Sequence, residues 1–147
     1  MQLDLFAGVQ PLPERVRVIS LHEPYATLVV NGIKTIETRT WDWPYEPSWL
    51  AIHAAKRFDK DAFTRLRMTD AYHAAALPGG GIVGLVWVAS SRILLPSDEA
   101  AACFYAPNRF AWILTHATRF AKLVPFPGPQ KFSSVDRSII LSALEAA

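Results

Sequence analysis

Cysteine occurs once in the 147 residues, at Cys103, which excludes an intramolecular disulfide. Histidine is scarce as well: His22, His53, His73 and His116 are scattered without the spacing of a metal site. No metal or other cofactor is expected, although carboxylates acting with a substrate phosphate would suffice to recruit magnesium. No apolar run approaches the ~18 residues of a membrane span, and the start lacks a basic segment followed by an apolar stretch. The expectation is a soluble, cytoplasmic protein with no membrane partner. Charge is also sparse, at 19% of residues and a net +2, so a broad electrostatic grip on duplex DNA is not implied. Internal repeats and low-complexity tracts are missing.

The distribution of charge carries more information than its sum. Residues 1–49 hold four Lys or Arg against six acids, residues 50–77 hold five against three, and residues 101–147 hold five against two. A local basic cleft fits this pattern better than a basic surface. Hydrophobic residues make up 51% of a length that suits one domain, which would bury about two-thirds of its unfolded surface.

Periodicity and punctuation predict alternating elements: a strand over Val16–Leu21, a short helix over Pro24–Val30 closed by Asn31-Gly32, and a strand over Thr35–Thr40. Residues Trp41 to Trp49 hold three Trp, one Tyr and two Pro and read as a rigid aromatic loop. A strand over Leu50–Ala55 follows, then a helix capped by Asp59 and reaching about Ala76, broken by Pro78-Gly79-Gly80-Gly81. Beyond it come a buried strand over Ile82–Ala89, a short helix near Asp98–Cys103, strands over Phe110–Thr115 and Thr118–Leu123, and a last helix to Ala146 capped by Ser133 or Ser134. Helices threaded between short strands predict an α+β fold, a small closed sheet with flanking helices.

The densest chemistry lies in Gly32-Ile33-Lys34-Thr35-Ile36-Glu37-Thr38-Arg39. On a strand, Thr35, Glu37, Arg39 and Trp41 share one face and Ile36 takes the other, while Lys34 at the mouth of the turn reaches the first. An acceptor, a guanidinium fork and a flat ring on one face suit a nucleotide. The same residues would also serve as a cross-strand ion pair of small energetic consequence. His22 and His53 read as structural hydrogen-bonding groups. Trp41, Trp43 and Trp49 read as packing residues, one of which, with Tyr25 or Trp112, would offer a stacking face.

Gly32, Lys34, Glu37 and Arg39 match the four fixed positions of Gly-x-Lys-x-x-Glu-x-Arg, and the chain thereby resembles the ASCH (activating signal cointegrator homology) family of the PUA-like superfamily. The similarity extends to Ile19–Ala26, where family members often read SLHQPWA and Glu23 and Tyr25 depart from that pattern. It continues through Leu50–Lys56, the Gly-rich strand Gly81–Ala89, Phe110–Leu114 and Pro125–Gln130. Roughly residues 15–135 look like one such domain, so the chain divides into an arm over 1–14 and a domain over 15–147. The resemblance implies a PUA-like β-barrel and a central cleft faced by Lys34, Glu37 and Arg39, with a phosphate-facing role for Lys56.

Two classes of function follow. In the first, a binding module holds single-stranded RNA or a nucleotide through Tyr25, Lys34, Glu37, Arg39, Trp41 and Lys56, with cations on phosphate and Glu37 accepting from a base edge. In the second, the protein is a small hydrolase acting on RNA or a modified nucleoside, with Lys34 and Glu37 as catalytic acid/base residues. Some short bacterial ASCH proteins are amidohydrolases on acetylated cytidine whose nucleophile is a threonine three residues after the motif lysine. Glu37 stands at that position here and cannot replace a hydroxyl nucleophile by the same mechanism.

Outside the domain, Gln2-Leu3-Asp4-Leu5-Phe6 matches the pentapeptide by which many bacterial proteins dock onto the replicative sliding clamp. Pro11 and Pro13 separate it from the domain. Leu5 and Phe6 would fill a groove on the partner, or pack with Leu3 on this protein's own domain.

Overall fold

The computed structural model describes residues 9–67 and 79–146. Its order is β1 (Arg15–Glu23), α1 (Tyr25–Val30), β2 (Ile36–Arg39), β3 (Ser48–Phe58), α2 (Lys60–Arg65) and β4 (Gly81–Ile93). A 3-10 turn (Pro96–Asp98) then leads into α3 (Glu99–Ala102), β5 (Phe110–Pro125), β6 (Ser133–Asp136) and α4 (Arg137–Glu145). The strands form one six-stranded sheet in the order β2-β5-β4-β3-β1-β6. Among the described residues only the β1–β3 pair is parallel. The mixed helix-and-sheet class matches the expectation. Closure into a barrel is not found among the described residues, since β2 and β6 end the order as unpaired edges.

Both faces of the central strands are covered, so Leu50, Ala51, Ile52, His53 and Ala54 are all buried in sequence instead of alternating. One apolar cluster packs α1 through Ala26, Val29 and Val30 on Ile19, Ile52, Val83 and Trp112. A second packs α4 through Ile140 and Ala143 on Val16, Trp49, Leu85 and Phe120. With about 1.5 to 3 kcal/mol for each fully buried aliphatic side chain, these two clusters dominate the stabilisation.

Several predicted boundaries move for physical reasons. The two strands expected over Phe110–Thr115 and Thr118–Leu123 are one strand: Thr115 pairs with Trp87 and Thr118 with Leu85, so residues 116 and 117 face a single residue of β4. His116, at φ 53°, makes that bulge. Asp59 caps α2 as expected, its carboxylate accepting from Ala62 N at 3.0 Å, but the helix ends at Arg65 and Arg67 takes φ 53°. The rest of the helix expected to Ala76 lies outside the described residues. Ser133 and Ser134 do not cap the last helix. They belong to β6, antiparallel to β1, and Asp136 is the cap, accepting from Ser138 N at 2.9 Å.

Candidate functional site: a cationic cleft on β2

The turn that delivers the octapeptide depends on Gly32. At φ +75° it lets the chain fold back over the end of α1, whose Leu28 carbonyl accepts from both Ile33 N and Lys34 N. The start of α1 is held by Glu23, which accepts from Thr27 N at 2.9 Å and Thr27 Oγ1 at 2.6 Å. This buried carboxylate satisfies a helix end that Pro24, joined to it by a cis peptide bond, does not cap.

Lys34 then enters the protein instead of solvent. Its side chain is 3% exposed, and its ammonium donates to the carbonyls of Ile36 and of Ala102, the latter at 2.6 Å, and stands 3.5 Å from Glu37 Oε1. The Ala102 carbonyl lies at the end of α3, where the backbone dipole favours a cation. Burial pushes the Lys34 pKa down, opposed by the Glu37 carboxylate. Glu37 is fixed from the other side by Arg39, whose Nε donates to Oε2 at 2.9 Å while Nη2 reaches the Ser20 carbonyl at 3.3 Å. Lys34 thus reaches Glu37 and Arg39 from the turn before β2, while Glu37 and Arg39 are brought together by alternation along the strand.

These three side chains line a cleft of about 330 Å³ together with Tyr25, Phe104 and Arg109. Phe104 and Arg109 escaped the sequence reading. Arg109 is positioned by two bonds of 2.9 Å to Thr38, through Nε to Oγ1 and Nη2 to the carbonyl, and lies 5.4 Å over the Phe104 ring. Tyr25 accepts from Arg65 Nη2 at 2.9 Å and has its phenol pKa raised by burial, which outweighs the nearby Arg65 charge. The lining includes three cations, Lys34, Arg39 and Arg109, against two carboxylates, Glu37 and Asp59.

Trp41 and Lys56 are not brought into this lining. Trp41 sits edge-on to Trp112 and Phe132, with Lys131 Nζ 4.5 Å over its ring, so packing occupies it. Trp112 is fully buried and offers no stacking face. Lys56 lines a second cavity of about 420 Å³, which shares Ser20 with the cleft. Among the described residues no cluster of three or more His, Cys, Asp or Glu is placed to hold a metal, and no helix is long and apolar enough to cross a membrane.

The ASCH domain model matches residues 19–123, a span that runs from within β1 through most of β5 and contains every residue of the cleft. The chain belongs to the ASCH domain family. Three crystal structures of the ASCH protein from Zymomonas mobilis are similar to it in fold. One aligns at a TM-score of 0.60 and 16% identity over 91% of this chain and 96% of that one. A tyrosine-to-phenylalanine variant of that protein aligns at 0.52 and 14% identity, covering 88% and 96%. A serine-to-alanine variant aligns at 0.54 and 15%, covering 92% and 99%. No curated protein sequence matches. The ASCH assignment brings with it the PUA-like class, in which nucleic-acid binding is common.

Proposed function

We propose that this ASCH domain binds single-stranded RNA, holding one nucleotide in the cleft. The observation that carries the reading is the joint presence of a carboxylate held in place from two sides, two arginines and two aromatic rings around about 330 Å³. Glu37 accepts from a base edge, Arg39 and Arg109 meet phosphate, and Tyr25 or Phe104 stacks on the base. Lys34 already has three acceptors, so its part is to hold Glu37 and α3 in register. A strand longer than one nucleotide would pass Ser20 into the neighbouring cavity, where Lys56 supplies the next cation.

One observation favours hydrolysis as a second reading: burial lowers the Lys34 pKa beside Glu37, bringing a general acid/base pair nearer to neutral operation. Glu37→Gln separates the two. With an RNA ligand the binder predicts an affinity change of less than about tenfold and intact RNA recovered by mass spectrometry. A hydrolase predicts product from the wild type and a loss of turnover on the order of a hundredfold in the variant at retained affinity.

The segment Gln2–Phe6 lies outside the described residues, and its match to the clamp-docking pentapeptide supports a bacterial sliding clamp as partner. Deleting residues 1–8 is expected to abolish clamp binding in calorimetry while leaving thermal unfolding of the domain unchanged. Undiminished clamp binding by the truncated protein would exclude the arm.

A further inference from the structure

The cavity beside the cleft contains a pair of side chains to which the RNA reading assigns no chemistry, although Ser20 lines both spaces. Ser20 of β1 and His53 of β3 are register partners in the parallel ladder, so their side chains emerge side by side on one face of the sheet. Ser20 Oγ and His53 Nδ1 are 2.9 Å apart, and His53 Nε2 is 2.7 Å from the Phe126 carbonyl. A carbonyl only accepts, so Nε2 bears a proton; in the neutral ring Nδ1 is then the acceptor of the serine hydroxyl. A nucleophile bonded to a base, and a base oriented by a third group, is the arrangement that activates serine.

We propose that Ser20 and His53 form a nucleophile–base dyad in the second cavity, a site for cleavage of small carboxylic esters. The cavity, about 420 Å³, admits a small ester, and Lys56 on its lining supplies positive charge for the oxygen that becomes negative. Gly128 closes over the dyad at a distance only glycine allows: a Cβ there would stand 2.8 Å from His53 Cε1 and 3.4 Å from Ser20 Oγ. Ser20 Oγ attacks the carbonyl carbon and its proton passes to Nδ1. The bond to the alcohol oxygen breaks, and the departing alkoxide takes that proton. Water then attacks the acyl-serine, passing a proton through Nδ1 back to Oγ, so that ester and water leave as acid and alcohol.

Burial lowers the His53 pKa, which keeps the ring in its accepting form at neutral pH. Lys56 on the same strand lines the cavity with the dyad, Arg39 on β2 bonds the Ser20 carbonyl and pairs with Glu37, and His22 lines the cleft on the other side of Ser20.

The same bonds would also form if His53 were only a satisfied buried ring, and the test must separate the cases. The full chain is treated with a fluorophosphonate, which phosphonylates an activated serine with loss of fluoride, and the adduct is mapped by peptide mass spectrometry. The expected result is a single adduct on Ser20, formed more slowly at pH 5 than at pH 7.5, with 4-nitrophenyl acetate turnover lost in a folded Ser20→Ala variant. No adduct on Ser20 in the wild type, or undiminished turnover in Ser20→Ala, would each overturn the proposal. Labelling and its pH profile are read on the wild type, so they stand whether or not a variant folds.

Discussion

Lys34→Ala is expected to lower the stability of the domain by about 3 to 5 kcal/mol, the usual cost of removing one member of a buried ion pair. The substitution takes a donor from the carbonyls of Ile36 and Ala102 and one of two cationic partners from Glu37. It also empties the volume of a long side chain, since Lys34 is 3% exposed. The lowered Lys34 pKa shows that burying the ammonium is itself unfavourable, so the pair is not a large net source of stability. The expected loss comes from breaking it, which takes the donor from two buried carbonyls and leaves Arg39 to hold the Glu37 charge. Urea unfolding followed by tryptophan fluorescence reads this directly. A loss below about 1 kcal/mol would mean that Lys34 can turn outward and that the cleft is looser than its hydrogen bonds imply.

Arg39→Ala combined with Arg109→Ala is expected to weaken single-stranded RNA binding by at least about a hundredfold, taking about 1.5 to 3 kcal/mol for each charge-assisted contact. Both arginines line the cleft, and each spends two nitrogens on the protein: Nε and Nη2 of Arg39 on Glu37 and Ser20, and the same atoms of Arg109 on Thr38. Among the described residues neither Nη1 has a protein partner, so each guanidinium keeps a donor for phosphate. The dependence of affinity on salt should shrink with the lost contacts, by a slope of about 0.7 for each one on a single strand. Equal salt slopes for wild type and double variant would place phosphate elsewhere.

The octapeptide was legible because its geometry is local. Alternation along β2 suffices to put Glu37 beside Arg39, and a positive φ at Gly32 is what an Asn-Gly helix end requires. Phe104 and Arg109 were illegible because their place in the cleft depends on β5 pairing with β2 across about seventy residues, with Arg39 against Phe110. Nothing in the segment from Cys103 to Arg109 announces that pairing. The inward course of Lys34 was hidden for the same reason, since its acceptor at Ala102 arrives with α3, 68 positions away. α3 is itself set by a turn in which Asp98 accepts from Leu95 N and both Arg92 nitrogens, holding its carboxyl at a pKa of about 2.

At the C-terminal end, serines at 133 and 134 have the composition of a helix cap, but tertiary pairing with Arg17 and Val18 extends them into a strand and passes the cap to Asp136. The aromatic loop is expected to reach Trp49, and Trp49 packs as expected, but it does so from a strand. Trp49 is 1% exposed, in β3, with its indole donating to the Gln10 carbonyl at 2.6 Å. In each case a long-range partner overrode a sound local preference.

The most direct measurement is the fluorescence anisotropy of a labelled single-stranded RNA octamer titrated with wild type and with the Arg39→Ala, Arg109→Ala double variant, alongside duplex RNA of the same sequence. Saturable binding of the single strand by wild type, loss of at least about a hundredfold in the folded double variant, and weaker binding of the duplex are predicted. Equal affinity of the two proteins for the single strand, or no saturable binding by wild type at low salt, would contradict the assignment of the cleft to RNA.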